Sequence, residues 1–445
     1  MKSRRRQVLV AVLAMVVALI SAAQLEMARS GIEIEQLEFG ATPATLYTVT
    51  TEPESLVLVS HGFAGSRQMM EAISLTLARA GHAVVAFDYL GHGRNERTLS
   101  PEINDLTGTT EDLVQQTLDV AEQAVALVGP NRIALVGHSM ATDVVIRAAA
   151  RLPNVQSVAA ISMYSDAVTK DHPGRLLIMS GAYETRLRAI ALDAVGQIGE
   201  RAENITVRTG EIERRAVPAP WAGHVGVLWS GVTSAEIAAW LGEPATPAST
   251  GPWIALLLTS IILLFWPLAA CLPAAPFRPG PTLRTSAIAS VLPAPVAALA
   301  SLAGPSALGL AGFGALALCF ATWGALALAV LRPALHLNRS GVWAGAFILA
   351  WGLLVFALAL DRYAAAFVPT GPRLAVMLLL TPAMLIFALA DRVMVQDHHF
   401  AIRFVLRIPF CAALLGAMVA QPSGIGMLFT TLPVLVLFLL VYGTI

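Results

Sequence analysis

Charge is distributed so unevenly along this chain that it dictates two different kinds of structure. Of 58 Asp, Glu, Lys and Arg residues, only 12 follow Ser249, although that stretch holds 196 of the 445 residues. No Lys follows Lys170 and no Glu follows Glu243. A water-soluble domain carries about 25% charged residues, so the second half cannot dissolve as an ordinary globule. The zero net charge therefore hides a partition. Residues 24–248 carry 26 acidic and 16 basic side chains, a surplus of negative charge that argues against nucleic acid, whose phosphates select basic surfaces.

The apolar half breaks into runs near 253–272, 285–303, 307–331, 342–360, 374–391, 403–420 and 425–443. At about 1.5 Å per residue, roughly 20 residues of helix cross the hydrocarbon layer. The second run contains Pro293 and Pro295 and is the weakest. At the N-terminus, "MKSRRR" precedes "QVLVAVLAMVVALISAA", which reads as a membrane anchor or as a secretory signal cleaved after Ala23. Positive charge sets direction. With the N-terminus inside, Lys2, Arg4, Arg5, Arg6, Arg278, Arg284, Arg332, Arg339, Arg392, Arg403 and Arg407 all fall inside, and only Arg362 and Arg373 fall in membrane-proximal outer loops. The expectation is a multi-pass cell-membrane protein with eight spans, both termini cytoplasmic and the polar segment outside. The expected division is an anchor or signal over 1–23, a polar domain over 24–243, a linker over 244–252 and an all-α transmembrane domain of about seven spans over 253–445. Ionisable groups in the apolar half sit at or near span ends, as with Asp361, Asp391, Arg403 and Arg407, so anchoring or packing is the expected role of these helices. Membrane lipids are the expected surroundings.

Between these membrane pieces the pattern changes to alternating strands and helices. "GIEIEQLEFG" and "ATLYTVT" predict an opening hairpin. "SLVLVSHGF", "AVVAFDYLGHGRN", "RIALVGHS", "VQSVAAISMYS", "GRLLIMSG" and "NITVRT" read as strands, with helical stretches such as "RQMMEAISLTLARAGH", "TEDLVQQTLDVAEQAVALVGP" and "MATDVVIRAAARL" between several of them. Strands alternating with helices predict a mostly parallel sheet with helices on both faces, and such sheets gather chemistry at the carboxyl ends of their strands. His61, Ser139 and Glu184 follow strand ends. All three cysteines, Cys271, Cys319 and Cys411, lie in the apolar half, so the polar domain has no disulfide framework. It has no GxxxxGK[ST] and no HExxH, and neither cofactor nor metal is expected. "DHHF" at Asp397–Phe400 reads as a solvated loop.

"VGHSMAT" places Ser139 between a buried strand and a helix, as a nucleophile elbow requires, with Ala141 where glycine is usual. The domain resembles the α/β-hydrolase superfamily, in particular its esterase, monoacylglycerol-lipase-like and serine-aminopeptidase-like members. The matching pieces, in the family's order over about 200 residues, are "SHGFAGS", "FDYLGHGRN", "VGHSMAT", "LLIMSGAYE" and "AGHVGVL". The resemblance implies Ser139 as nucleophile and Glu184 as the acid that orients the base, with Asp166 as the alternative acid. After Glu184, the domain's only histidine is His224, which takes the place of the base. The resemblance also implies an oxyanion hole from the backbone amides of Phe63 and Met140, structural roles for His61, His92 and His138, and a loop anchored by Asp88. Only "DAVTKDHP" separates two strands where many relatives insert a helical cap. The implied activity is hydrolysis of a carboxylic ester, a lipid or another acyl substrate, through an acyl-serine. Two alternatives stay open: acyl transfer by the same residues, and a non-catalytic hydrolase-like sensor or assembly module on a membrane scaffold.

Reporter fusions test the topology. An alkaline phosphatase fusion at Ala245 should be active and one near Ala334 inactive; an inactive fusion at Ala245 would overturn the outward orientation.

Overall fold

The computed structural model describes residues 2–99, 106–129, 132–242, 244–273, 279–303, 312–333, 339–369 and 371–421. The chain forms two compact units. One comprises Val12–Ile261 with Gly352–Val368, and the other Met1–Ala11, Ile262–Trp351 and Pro369–Ile445.

The first unit is built on a nine-stranded sheet. In chain order the strands are β1 (Glu33–Phe39), β2 (Thr42–Thr48), β3 (Leu56–Ser60), β4 (Ala83–Phe87), β5 (Ile133–His138), β6 (Val155–Ile161), β7 (Arg175–Gly181), β8 (Thr206–Thr209) and β9 (Ile212–Ala219). Their spatial order is β1-β2-β4-β3-β5-β6-β7-β9-β8. The central strands from β4 to β9 pair in parallel, while β1, β2 and β8 add antiparallel edges. The parallel strands are apolar throughout because both faces are covered. Leu56, Leu58, Val85, Leu135, Val158 and Ile178 belong to one core. Their neighbours Val57, Val59, Val84, Val136, Ala159 and Leu177 belong to the core on the opposite face. After the N-terminal helix α1 (Lys2–Met27), helices α2 (Glu71–Arg79), α3 (Glu111–Val128), α4 (Met140–Ala149), α5 (Thr185–Gly196) and α6 (Gly231–Leu241) supply the covering layers of the sheet. The helix α3 stops at Gly129, whose φ of 85° is a conformation that glycine adopts without a Cβ penalty.

Periodicity does not predict β9. Its sequence, "IERRAVPA", carries two arginines and a proline where a strand between two others should be apolar. The structure explains the exception. Arg214 is fully buried, and its guanidinium donates to the Ala194 carbonyl (2.5 Å), the Gln197 Oε1 (2.8 Å) and the Thr169 carbonyl. A buried cation persists where its donors meet acceptors. This strand sits beside β7 and delivers the chain to the loop that carries His224.

Seven helices among the described residues are long and apolar enough to cross a membrane: Arg4–Met27, Gly251–Ala269, Leu283–Leu302, Gly312–Leu331, Arg339–Tyr363, Pro372–Val395 and Phe400–Ala420. They match the N-terminal segment and six of the seven expected runs; the run expected at 425–443 lies outside the described residues. Pro293 does not abolish the second run. One helix ends at Val291 and the next starts at Pro293, the first-turn position where proline lacks no needed donor.

Within the second unit the helices at 283–302, 312–331, 372–395 and 400–420 share a core in which Phe320, Trp323, Phe387 and Phe410 meet at centroid distances of 4.5–5.3 Å. A Cβ on Gly324 would stand 2.8 Å from the Phe387 backbone nitrogen, so this glycine sets how closely two helices approach. Asp391 and Arg407, expected near span ends, form a buried bidentate pair, with Nε to Oδ1 at 2.8 Å and Nη2 to Oδ2 at 2.7 Å. Each neutralises the other in surroundings where a lone charge would be costly. Removing one partner should therefore damage the fold more than removing both: Asp391→Ala should lower the Tm in detergent by more than Asp391→Leu combined with Arg407→Leu.

Candidate active site

The chain reverses abruptly between β5 and α4. Ser139 sits at the reversal with φ 53° and ψ −117°, a left-handed backbone that a residue with a Cβ adopts only when its surroundings enforce it. Its amide donates to the Ile161 carbonyl at 2.8 Å, and its carbonyl accepts from the Thr142 amide at 2.9 Å. The tight approach is at Gly137. A Cβ there would lie 2.7 Å from the Ala141 carbonyl oxygen and 2.8 Å from the Val145 Cγ2. Ala141 itself is in the helix, with its methyl fully buried in the core. So the turn needs glycine at 137 and not at 141.

Ser139 Oγ lies 2.8 Å from His224 Nε2, and His224 Nδ1 lies 2.6 Å from Glu184 Oε1. Three side chains separated by 40 and 85 residues thus converge in hydrogen-bonding reach above one sheet. Glu184 directly precedes α5 and is positioned by the end of β7. Its other oxygen accepts from the Gly181 amide (2.6 Å) and from Ser162 Oγ (2.7 Å). Burial alone would raise its pKa. The hydrogen bonds from His224, Ser162 and the Gly181 amide outweigh that penalty and hold the carboxyl below its ordinary range. A carboxylate kept charged beside Nδ1 favours the tautomer with Nδ1–H and leaves Nε2 free to accept a proton.

The His224 loop is pinned in several places. The Tyr183 amide donates to the Ala222 carbonyl (3.1 Å), and the Val227 amide to the Gly223 carbonyl (3.1 Å). A Cβ on Gly181 would lie 2.6 Å from the Ala222 oxygen, so only glycine ends β7 this close to the loop. His138 Nε2 donates to the His224 carbonyl at 2.9 Å. Burial lowers the His138 pKa to about 4 despite that bond, so its ring stays neutral at pH 7.

Asp166, the alternative acid, does not reach this group. Its side chain is 77% exposed and pairs with Arg147 at 2.5 Å. The segment after β6 turns towards α4 instead, with Ser165 Oγ donating to Asp143 (2.6 Å) and the Tyr164 amide to Thr142 Oγ1 (3.1 Å). Arg188, one turn of α5 beyond Glu184, pairs with Glu203 at 2.8 Å and leaves the Glu184 carboxylate to His224. Ser162 was invisible to sequence reasoning. Its position, directly after β6 and level with the end of β7, is the only signal that could have singled it out.

Directly after Ser139, Met140 opens α4, where the first amides have no intrahelical acceptor. The turn carrying Phe63 comes close: a Cβ on Gly62 would stand 3.0 Å from the Ser139 Cβ. His61 is structural. Its Nδ1 pairs with the Gly62 carbonyl (2.8 Å) and its Nε2 accepts from the Tyr89 amide (3.2 Å), while burial lowers its pKa to about 4. Asp88 ties the neighbouring loops together by accepting from the amides of Arg67 (2.8 Å) and Arg94 (2.9 Å). The connection from β6 to β7 contains no helix, only an isolated bridge between Thr169 and His172. Among the described residues no His, Cys, Asp and Glu group has a metal-binding arrangement. The Ser139–His224–Glu184 contacts can move a proton from hydroxyl to imidazole and hold the resulting charge.

Residues 55–204 match the family described as alpha/beta hydrolase fold; Ser139 and Glu184 fall within the match and His224 beyond it. Similar solved structures include dienelactone hydrolase from Anabaena variabilis, 16% identical, with a TM-score of 0.37 over 48% of this chain and 98% of that one. Another is a serine hydrolase described as lacking a lid, from Xanthomonas campestris, 17% identical, with a TM-score of 0.34 over 49% of this chain and 98% of that one. No curated protein sequence matches this chain. The domain has the α/β-hydrolase fold, on the family match and the mostly parallel, helix-covered sheet.

Ala141→Gly should lower stability by about 0.5–1 kcal/mol, the usual cost of glycine in a helix, and leave the turn intact; Gly137→Val should prevent folding or shift Tm much further. In acid, His61 and His138 take up protons in the unfolded chain below about pH 6.5 but in the folded chain only near pH 4. They contribute stability at neutral pH that is lost as pH falls through this window. Glu71 opposes them: burial raises its pKa to about 7, so its contribution is present below about pH 4.5 and lost as pH rises through 7. Two groups outweigh one. The Tm should fall between pH 6.5 and 4.5, and fall more steeply in Glu71→Gln.

Proposed function

Taking the α/β-hydrolase domain as the premise, we propose that this chain is a membrane-anchored serine hydrolase that cleaves a carboxylic ester through an acyl-serine. The carrying observation is the continuous path from Ser139 Oγ to His224 Nε2 and from His224 Nδ1 to Glu184, at 2.8 and 2.6 Å. In acylation the Ser139 hydroxyl gives its proton to His224 Nε2 as Oγ bonds to the carbonyl carbon. The amides of Phe63 and Met140 receive the oxyanion. Collapse expels the alkoxide, which takes the proton from His224. Water then repeats the sequence in reverse, releasing the acid and restoring Ser139.

An apolar acyl substrate is supported by what surrounds the strand ends. Phe63 follows β3, Tyr164 follows β6, Tyr183 follows β7 and Trp221 follows β9, and all four expose aromatic surface, Trp221 at 88%. Large exposed aromatics at one edge are a usual mark of a binding surface for apolar matter, and tryptophan and tyrosine suit a membrane–water interface. With no helical insert between β6 and β7, a bulky lipid ester would meet little obstruction. The cell membrane is the proposed location, with the hydrolase domain on the outer side, as the distribution of arginines favours.

Activity against medium-chain acyl esters should fall by about 10⁴–10⁶ in Ser139→Ala or His224→Ala, and by up to about 10⁴ in Glu184→Gln. Asp166→Asn should change little. Fluorophosphonate labelling that persists in Ser139→Ala would overturn the assignment. An unlabelled native protein, together with an unchanged cellular phenotype in Ser139→Ala, would favour the non-catalytic alternative.

A further inference from the structure

The hydrolase unit includes a segment from far along the chain, Gly352–Val368, which ends one candidate span and leads towards the next. Its tip is organised by Asp361. Asp361 Oδ1 accepts from the amides of Phe367 (3.1 Å) and Val368 (3.2 Å), and Oδ2 accepts from the Arg94 guanidinium. The folded-back tip then places the Ala366 amide 2.9 Å from Ser66 Oγ.

Both attachment points lead to the oxyanion turn. Ser66 is buried and closes the turn that starts at Gly62, where the Gly65 amide donates to the Gly62 carbonyl at 3.0 Å. A Cβ on Gly62 would stand 3.0 Å from the Ser139 Cβ and 2.9 Å from His138 Nδ1, so glycine lets this turn pack directly against the Ser139 reversal. Arg94 belongs to the loop after β4, fixed by its own amide to Asp88 Oδ2 (2.9 Å) and by Asn95 Nδ2 to the Asp88 carbonyl (3.0 Å). The same loop presents His92 edge-on to Phe63, with ring centroids 5.4 Å apart. One segment thus holds the turn through Ser66 and the loop packed against Phe63 through Arg94.

We propose that Asp361 and the backbone of residues 366–368 form a strap that positions the Gly62–Phe63 turn for Ser139. The inference rests on the serine-hydrolase reading. Asp361, Arg94 and Ser66 are positioning residues: none touches the reacting atoms. An oxyanion donor acts on charge that exists only in the transition state. A strap that fixes its place should therefore affect kcat and leave ground-state binding alone. Loss of one donor costs about 10²–10³ in rate, and displacement of a donor costs part of that.

The test uses the full chain in detergent or lipid nanodiscs with a p-nitrophenyl acyl ester. Asp361→Ala should lower kcat about 10–100-fold with KM within about twofold, and slow fluorophosphonate labelling of Ser139 by a similar factor. Asp361→Asn, which still offers an oxygen to the Phe367 and Val368 amides, should recover a large part of the rate. Arg94→Gln, at a partly exposed side chain, should reproduce the kcat-only defect even if Asp361→Ala folds poorly. Unchanged kcat in both Asp361→Ala and Arg94→Gln, or a rise in KM alone, overturns the strap while a silent Ser139→Ala keeps the hydrolase reading. Turnover that survives Ser139→Ala sinks that reading and the strap with it.

Discussion

The reversal at Ser139 is the constraint on which the rest of the site depends. A serine at φ 53° is strained, and the close packing of α4 against the end of β5 holds it there. Gly137 lets strand and helix close to a distance that any Cβ would prevent. The Ser139 amide is committed to β6 and its carbonyl to Thr142. With the backbone fixed on both sides, Oγ projects above the sheet. The other side chains have only to reach that point, Glu184 from the end of β7 and His224 from the loop after β9, while the Gly62–Phe63 turn approaches from the end of β3. Strain concentrated at one residue is thereby held by two ordinary elements packed around it.

Much of this was legible in the residues because strongly patterned signals carry it. Apolar runs alternating with helical stretches announce the parallel sheet, and "VGHSMAT" between a buried strand and a helix announces the reversal at Ser139. What stayed hidden depended on long-range pairing. Nothing local marks "IERRAVPA" as an interior strand, since Arg214 is acceptable there only with carbonyls from α5 and from the loop before β7 gathered around it. Ser162 looks like any serine after a strand, and its tie to Glu184 exists only once β6 and β7 lie side by side. Asp166 and Glu184 were both reasonable acids by position. Arg147 takes the first, and the Gly181 amide with Ser162 holds the second. Ala141 was the least informative departure, because the methyl points into a core that has room for it.

The apolar half follows a different logic. Helices long and apolar enough to cross a membrane pack through close backbone approach and matched polar groups. Gly324 against Phe387 and the Asp391–Arg407 pair are instances of each. The sequence places those two charges close to span ends, and only packing shows that they face each other. The return of residues 352–368 to the hydrolase unit is equally unreadable from hydropathy, which sees only the end of a span. Part of the apolar half of the sequence is thus a piece of the hydrolase unit.

The central claim is that Ser139, activated by His224 and Glu184, becomes covalently acylated. The most direct measurement is peptide mass spectrometry of the full chain quenched in acid within its first turnovers on an activated acyl ester. The account predicts a mass increase equal to one acyl group on the peptide containing Ser139, absent in His224→Ala and decaying as ester is exhausted. An acyl group carried on any other residue, or ester turnover with Ser139 unmodified at every time sampled, would contradict it.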